Sequence, residues 1–349
     1  MHKSAEMATS PAPPDLLLPY AEAQAALARL ADRVTLSPVR GPLQTRMALA
    51  ERQALATADA HDLADDVLTI DRRGRVATTA YDLTHWKQAI GQPITLHALA
   101  HDPAALLAWL GADPPRAFDP DAWATPVDRD PSERLASIER WQEACRTLPP
   151  SPPLLHGGHI AALWRQHAPL GKGDLVASLL IGDRWGAGRS PGSSGGLTAL
   201  GLQHAGGLWK IARGAELDRL WLDAIRVGAE VHLETETRLR GYAQRVALHL
   251  AGRGRLGRLK DVLRFAMARP TVTSGQVARA LGLTSAGAIK LLTLAVNEGW
   301  LLEQSGQASY RRYAIPVSPP ALGRRPTADP FADDFWAEMG GSSALSEPM

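Results

Sequence analysis

The chain of 349 residues has one cysteine, only four phenylalanines and almost no excess of charge. A lone cysteine, Cys145, excludes an internal disulfide and is typical of a reducing compartment, so we expect a cytoplasmic protein. No stretch approaches about eighteen uncharged apolar residues, which argues against a membrane span. The net charge of +2 means that affinity for nucleic acid has to come from local clusters of basic residues.

Strand-like alternation of apolar and polar residues is scarce, and alanine and leucine dominate the periodic segments. Helical periodicity is found in four N-terminal segments, namely 19–34, 43–65, 82–90 and 103–111. In the first of them the apolar face is formed by Ala23, Leu27, Leu30 and Val34. A short strand or extended turn is predicted at 66–76. The fold class is therefore expected to be mainly α.

Residues 112–131 are rich in proline and aspartate, a composition that cannot continue a helix, so we place a linker there. A new helix should start at its end, with Asp130 as N-cap and Pro131 in the first turn. A helical block should follow from 154 to about 250, broken by a loop at 186–196. The predicted regions are a disordered tail at 1–16, an N-terminal helical region at 17–111, a linker and helix at 112–150, a helical core at 151–250, a separate C-terminal module at 251–316 and a mostly disordered tail at 317–349.

The most specific pattern lies in residues 258–315. Thr273 and Gln276 have the spacing of a capping box, which predicts the start of a helix, and Gly282 predicts its end. This helix follows a first one at the start of the stretch, and Thr284 is placed to cap a third. The third helix is followed by two extended segments around a Ser-Gly turn. Three helices and a small β-hairpin indicate a winged helix-turn-helix.

Basic residues cluster in the same region. Ten lysines and arginines stand against three acidic residues between 253 and 312, a local charge of +7, which favours double-stranded DNA as a partner. The third helix carries no outward Arg, Asn or Gln to read a base edge, so sharp specificity is not expected. The predicted DNA-contacting residues are Arg255, Arg258, Gln276, Arg279, Ser285, Ala286, Lys290, Arg311 and Arg312. A helical domain used for protein contact is the alternative.

A second pattern begins at His167, which precedes the Gly171-Lys172-Gly173 turn and an apolar run at 179–181. With this order of elements, residues 154–315 are similar to the Fic/Doc family in its arrangement with a C-terminal winged helix. The resemblance implies a histidine base, an acidic magnesium ligand, a glycine turn that cradles phosphates and two arginines that clamp them.

The chain departs from that family pattern at the charged positions. Matched without gaps, the acid, the asparagine and the two arginines are replaced in order by Gly171, Gly173, Leu175 and Ser178. Shifted by one residue, the match puts Leu170 at the acid and Asp174, an opposite charge, at the first arginine. Both registers lack the metal ligand and the clamp that an anionic nucleotide requires. His167 is thus a remnant candidate, and no catalytic residue, metal or cofactor is expected.

Four short segments carry a broader resemblance: 166–169, 268–270, 281–284 and 311–315. In them the chain resembles a plasmid-associated bacterial family of unknown function with a C-terminal helix-turn-helix, over about 20–110 and 150–315. This resemblance implies a fold and a DNA-binding end but no activity.

Two other motifs give only weak indications of a metal site or a catalytic serine. His156 and His159 could join His167 as metal ligands, but no HExxH pattern or cysteine pair accompanies them. The glycine- and serine-rich stretch at 192–196 lacks the spacing of a nucleophile elbow, which favours a loop.

The expected function is DNA binding, in transcriptional regulation or plasmid maintenance, with the Fic-like core as a dimerisation or sensing platform. One alternative is a divergent nucleotidyl or phosphoryl transferase with His167 as its base. Another is a protein-interaction partner, such as an antitoxin-like inhibitor. The acidic and aromatic segment at 329–339 is either an inert tail or a docking peptide.

Overall fold

The computed structural model describes residues 13–58, 68–70, 76–78, 89–111, 131–171, 174–186, 193–205, 209, 211–251, 257–305 and 311–316. These residues are mainly α-helical, as the sequence predicts. After a 3-10 turn at Pro14–Leu16, the helices are α1 Leu17–Leu36, α2 Arg40–Ala58, α3 Leu96–His101, α4 Pro103–Leu110, α5 Pro131–Arg146, α6 Pro153–His167, α7 Asp174–Trp185, α8 Leu197–Ala205, α9 Gly214–Ala251, α10 Leu259–Met267, α11 Ser274–Leu281 and α12 Ser285–Asn297. The strands are β1 Leu68–Ile70, β2 Val76–Thr78, β3 Val272–Thr273, β4 Leu302–Glu303 and β5 Arg312–Ala314.

The N-terminal predictions are largely confirmed. The apolar face of α1 is buried at Ala23, Leu30 and Val34, with Leu27 half-buried. The strand predicted at 66–76 is part of an antiparallel hairpin, β1–β2. Helix α3 was not predicted, although the Thr95 hydroxyl caps it by accepting from the Ala98 amide. Most of the helix expected at 82–90, and Asp130, lie outside the described residues.

The chain divides into two compact units. Unit 1 comprises Met1–Arg29, Ala50–Leu63 and Ala80–Val231, and unit 2 comprises Leu30–Leu49, Ala64–Thr79 and His232–Met349. The divisions fall within α1, α2 and α9. Segments distant in sequence pack together within each unit.

Glycines bring the helices of unit 1 into close contact. A Cβ atom on Gly157 of α6 would lie 2.6 Å from the Gly182 carbonyl oxygen of α7. One on Gly201 of α8 would overlap the backbone of Ala224 in α9. One on Gly158 would lie 2.8 Å from the Trp221 ring. The HGGH sequence therefore supplies a flat surface on α6 for helix packing.

Unit 2 ends in a small module, residues 257–316, that we call the C-terminal module. Its elements follow in the order α10, β3, α11, α12, β4 and β5, and its antiparallel sheet has the strand order β3-β5-β4. Val272 pairs with Tyr313, and Leu302 pairs with Ala314. The predicted hairpin is present, whereas β3 was missed because two residues are too few for a periodicity.

The caps predicted in this module are confirmed. Thr273 and Gln276 form a reciprocal capping box at the start of α11, and Gly282 ends the helix with a φ of 61°. The Thr284 hydroxyl accepts from the Gly287 amide at 3.1 Å and begins α12. These local bonds fix the tight turn between α11 and α12.

Earlier parts of unit 2 hold the module in place. Arg46 of α2 donates to the carbonyl oxygens of Met267 at 2.7 Å and Arg269 at 2.6 Å. The Arg46 side chain thereby caps the C-terminal end of α10. On α9, the Tyr242 hydroxyl donates to the Trp300 carbonyl oxygen at 3.0 Å. The module is therefore bonded to helices that lie far upstream in the sequence.

Among the described residues, no single helix has the length and apolar character to cross a membrane. By length and composition, only α11 and α12 taken together meet that criterion, and they form a pair bent by 115°.

Candidate functional site

The outer face of α12 carries three of the residues that the sequence predicts to contact DNA. Ala288, Leu292 and Ala295 point into the module and are fully buried. The exposed positions of the helix include Ser285, Ala286, Ile289, Lys290 and Thr293. Three of the predicted contact residues, Ser285, Ala286 and Lys290, are therefore on a solvent-facing helix surface.

Large apolar side chains flank this face on both sides. Ile289 is 48% exposed and Leu294 is 40% exposed. With a helical repeat of about 100° per residue, these two positions lie on opposite flanks of the exposed face. Ser285, Ile289 and Thr293 follow each other at intervals of four residues and form one ridge. We call Ser285, Ala286, Ile289 and Thr293 the methyl ridge, because Ala286, Ile289 and Thr293 present methyl groups.

Two of the predicted cations are exposed and have no acidic partner among the described residues. The Arg279 side chain makes one hydrogen bond, from Nε to the Gly275 carbonyl oxygen at 3.3 Å, and remains exposed. Lys290 is exposed near the middle of α12. Both charges are consequently available to an external anion.

Other predicted residues have partners within the module. Arg258 contacts Asp261 at 2.9 Å and donates to the Leu281 carbonyl oxygen at 2.7 Å. Arg311 lies 3.4 Å from Glu303. Gln276 accepts from the Thr273 amide, so its carbonyl oxygen is used in the capping box. Part of the local +7 is therefore balanced internally.

The remaining basic residues differ in accessibility. Arg312 is half-buried, and its backbone amide donates to the Ser305 hydroxyl. Arg269 lies 3.7 Å from the centre of the Phe265 ring, and burial lowers its pKa to about 10. Arg255 lies outside the described residues.

The stretch after His167 is held together by Asp174. Helix α6 ends at His167, and Ala168 follows in the left-handed conformation with a φ of 42°. The Asp174 carboxylate accepts from the Gly171 amide at 2.6 Å, the Leu170 amide at 3.2 Å and the Trp164 indole at 2.8 Å. Asp174 is 7% exposed. A carboxylate thus occupies backbone donors that a phosphate-cradling turn would offer to its ligand.

The histidines of the HGGH motif have separate partners. His156 Nδ1 lies 3.2 Å from the Ser151 hydroxyl, and His159 Nε2 lies 2.7 Å from the Asp218 carboxylate. Burial, with a smaller contribution from His159, lowers the pKa of His156. Among the described residues, no three His, Cys, Asp or Glu side chains are grouped so that they could hold a metal.

A buried pair of carboxylates in unit 1 was missed by sequence reasoning. Glu51 Oε2 accepts from the Ser194 amide at 2.6 Å, the Gly196 amide at 3.1 Å and the Ser193 and Ser194 hydroxyls at 3.0 Å each. Asp183 accepts from the Thr198 hydroxyl at 2.5 Å and from the Thr198 amide at 3.3 Å. Both carboxylates lie at the N-terminal end of α8, where free amides and the helix dipole favour negative charge.

Burial raises the pKa of Asp183 to about 8, against the lowering effect of the Thr198 hydroxyl, and nearby Glu51 raises it further. Asp183 is fully buried. The hydroxyl groups of the two serines in the GSSGG loop donate hydrogen bonds to Glu51. These bonds give the serines a structural role in the loop. No local pattern could have revealed the pair, because Glu51 and the serines are about 140 residues apart.

Comparison with known proteins assigns no family to the chain. The sequence matches no protein-family model, and no curated protein matches it. Function has to be inferred from the residues themselves, above all from the exposed face of α12.

Proposed function

We propose that the C-terminal module is a winged helix and that the protein binds duplex DNA through it, with α12 as the helix that enters the major groove. Support comes from the element order α10-β3-α11-α12-β4-β5 and the sheet order β3-β5-β4. In a helix-turn-helix the second helix of the bent pair lies in the groove. We assign that role to α11 and α12, which are joined by the capped turn at Gly282 and Thr284.

The observation that carries the proposal is the exposed face of α12 with unpaired cations beside it. Arg279 and Lys290 have no acidic partner among the described residues, and both are exposed. Lysine and arginine contacts to phosphates release counterions and supply most of the sequence-independent affinity for DNA. A helix about 10–12 Å in diameter fits the width of the major groove.

We propose a scaffold or sensing role, and no AMP transfer, for the region around α6 and α7. Asp174 fills the turn after His167 with a negative charge and occupies the Leu170 and Gly171 amides. A nucleotide phosphate would have to displace this carboxylate and overcome its repulsion. A scaffold or sensing region beside a DNA-binding module is consistent with a regulator of transcription or of plasmid maintenance. If the scaffold serves dimerisation, light scattering on the full chain should detect the dimer.

The test is retention of the full chain on a fluorescent duplex across a series of salt concentrations. If about four phosphates are neutralised, log affinity should fall against log salt with a slope of about −4. Arg279→Ala and Lys290→Ala should each weaken binding and flatten that slope by about 1. Arg29→Ala removes an exposed arginine from α1 in unit 1 and serves as the matched control, with no change expected. Absence of retention at about 50 mM salt would overturn the proposal.

A further inference from the structure

The methyl ridge of α12 raises the question of what an exposed isoleucine contacts in a DNA-binding helix. Ile289 is nearly half exposed at 48%, at the centre of the ridge formed with Ser285, Ala286 and Thr293. Its position is not explained by packing within the module, whose core contacts on α12 are made by Ala288, Leu292 and Ala295. An apolar partner outside the chain would cover it.

The chemical character of the face restricts that partner. Between residues 285 and 293 the sequence has no Arg, Asn, Gln, Asp or Glu, the side chains that make paired hydrogen bonds to guanine, adenine or cytosine. In the major groove, the apolar groups on base edges are the C5 methyls of pyrimidines, carried by thymine and by 5-methylcytosine. Ala and Thr methyl groups are known partners of such methyls, and the larger Ile289 covers more of the same surface.

We propose that α12 recognises C5-methyl pyrimidines in the major groove through the methyl ridge, with Ile289 as the residue that determines specificity. The proposal rests on the proposed function, because it names the base feature that the DNA-binding helix reads. Charge complementarity favours DNA over an apolar protein as the occupant, since Lys290 adjoins the ridge on the same exposed face and Arg279 is exposed on α11.

The expected loss of DNA affinity follows from the apolar surface of one base methyl group that each contact buries. Removing a methyl from a dry apolar contact lowers affinity about fourfold. The hydroxyls of Ser285 and Thr293 and the amine of Lys290 have no side-chain hydrogen bond within the described part of the chain and can contact phosphates independently of the methyl. The loss should consequently be specific to the base modification and leave the salt dependence unchanged.

The experiment compares the full chain on an A·T-rich duplex and on the same duplex with every thymine replaced by deoxyuridine. The wild type should bind the deoxyuridine duplex several-fold more weakly. Ile289→Ala should lower the ratio of the two affinities, because the smaller alanine methyl covers less of the base methyl. Leu294→Ala, on the opposite flank of the same helix, should keep the wild-type ratio. This coupling between a protein side chain and a DNA methyl is the quantity that identifies a direct contact.

A second pair of duplexes, G·C-rich with cytosine or 5-methylcytosine, separates the two sources of the methyl. A gain on methylation that Ile289→Ala reduces identifies the methyl itself as the recognised group. A response confined to the thymine pair assigns thymine as the source. Equal binding of thymine and deoxyuridine duplexes by the wild type overturns the inference while DNA binding stands. A ratio unchanged in Ile289→Ala also overturns it, since the protein would then respond to duplex shape. Failure to bind any duplex overturns the proposed function as well.

Discussion

The helices of unit 1 and the outer face of α12 differ in how their side chains are used. The histidines, glycines and serines of unit 1 resemble parts of catalytic motifs, yet His159 is bonded to Asp218 and the serines of the GSSGG loop to Glu51. The residues of α12 are mostly small or apolar and resemble no catalytic motif, yet Ile289 and Lys290 are exposed. The difference lies in availability: these side chains of unit 1 are engaged within the unit, whereas Ile289 and Lys290 of α12 remain exposed.

The largest effect in this comparison is expected from the glycine contacts of unit 1. Gly201→Ala should cost about 3–5 kcal/mol in unfolding free energy, because the new methyl would overlap the backbone of Ala224, which cannot move away cheaply. Gly275→Ala in α11 is the control, since nothing lies within 4 Å of a Cβ there. It should stabilise by at most about 1 kcal/mol through helix propensity. Urea unfolding followed by tryptophan fluorescence measures both, and equal effects would contradict the description of a tight helix contact.

A second test concerns the turn after His167. Asp174→Ala leaves the Trp164 indole and two backbone amides without their acceptor and should cost about 2–4 kcal/mol. His167→Ala should change stability by less than about 0.5 kcal/mol, because no described partner depends on it.

The same pair of variants addresses transfer chemistry. Labelled ATP with magnesium should label neither the wild type nor lysate proteins, because Asp174 repels phosphate at the turn. Labelling that disappears in His167→Ala would show that the histidine is a catalytic base and that the scaffold proposal is wrong.

How far the sequence predicted the molecule depended on the distance between interacting residues. The capping box of Thr273 and Gln276 was predictable because its bonds connect residues three positions apart. The partnership of Glu51 with Ser194 was not, because no local rule connects positions 143 residues apart. The sequence marks Asp174 as a charge of the wrong sign for a phosphate clamp, but its role as the acceptor of the turn depends on the backbone conformation there, which no sequence rule specifies.

A third prediction is a pH dependence that arises in unit 1. Because burial raises the folded-state pKa of Asp183 to about 8, its protonated form is favoured in the folded protein. The contribution of the protonated side chain to the free energy of unfolding is complete below the ordinary aspartate pKa of about 4. It is lost as the pH rises towards about 8. Asp183→Asn removes this titration.

Measured between about pH 5 and pH 7, the wild type should lose stability relative to Asp183→Asn by about 1 kcal/mol per pH unit. Urea unfolding at matched salt gives this difference directly. A difference that is constant over the range, or that grows in the opposite direction, would mean that Asp183 is ionised in the folded protein.

The smallest effect is expected from the C-terminal tail, which lies outside the described residues. Asp329, Asp333, Asp334 and Glu338 can compete with phosphates for the basic residues of the C-terminal module, aided by the high effective concentration of a tethered segment. Deleting 327–349 should tighten DNA binding several-fold at low salt, and the gain should shrink as salt rises. Deleting 340–349 alone retains the acidic and aromatic segment and should leave the affinity unchanged. Identical binding curves for all three chains would identify the tail as inert.

The two hydrogen bonds of Arg46 also have a consequence for the order in which the protein is made. The Met267 carbonyl that Arg46 binds is synthesised 221 residues later. At about 5–20 residues per second, α2 leaves the ribosome roughly 10–40 seconds before its partner exists. During that interval Leu43 and Met47, fully buried in the finished protein, have only the nascent chain and chaperones to cover them. Folding of unit 2 is therefore completed late in synthesis, and chains interrupted before α10 are expected to aggregate.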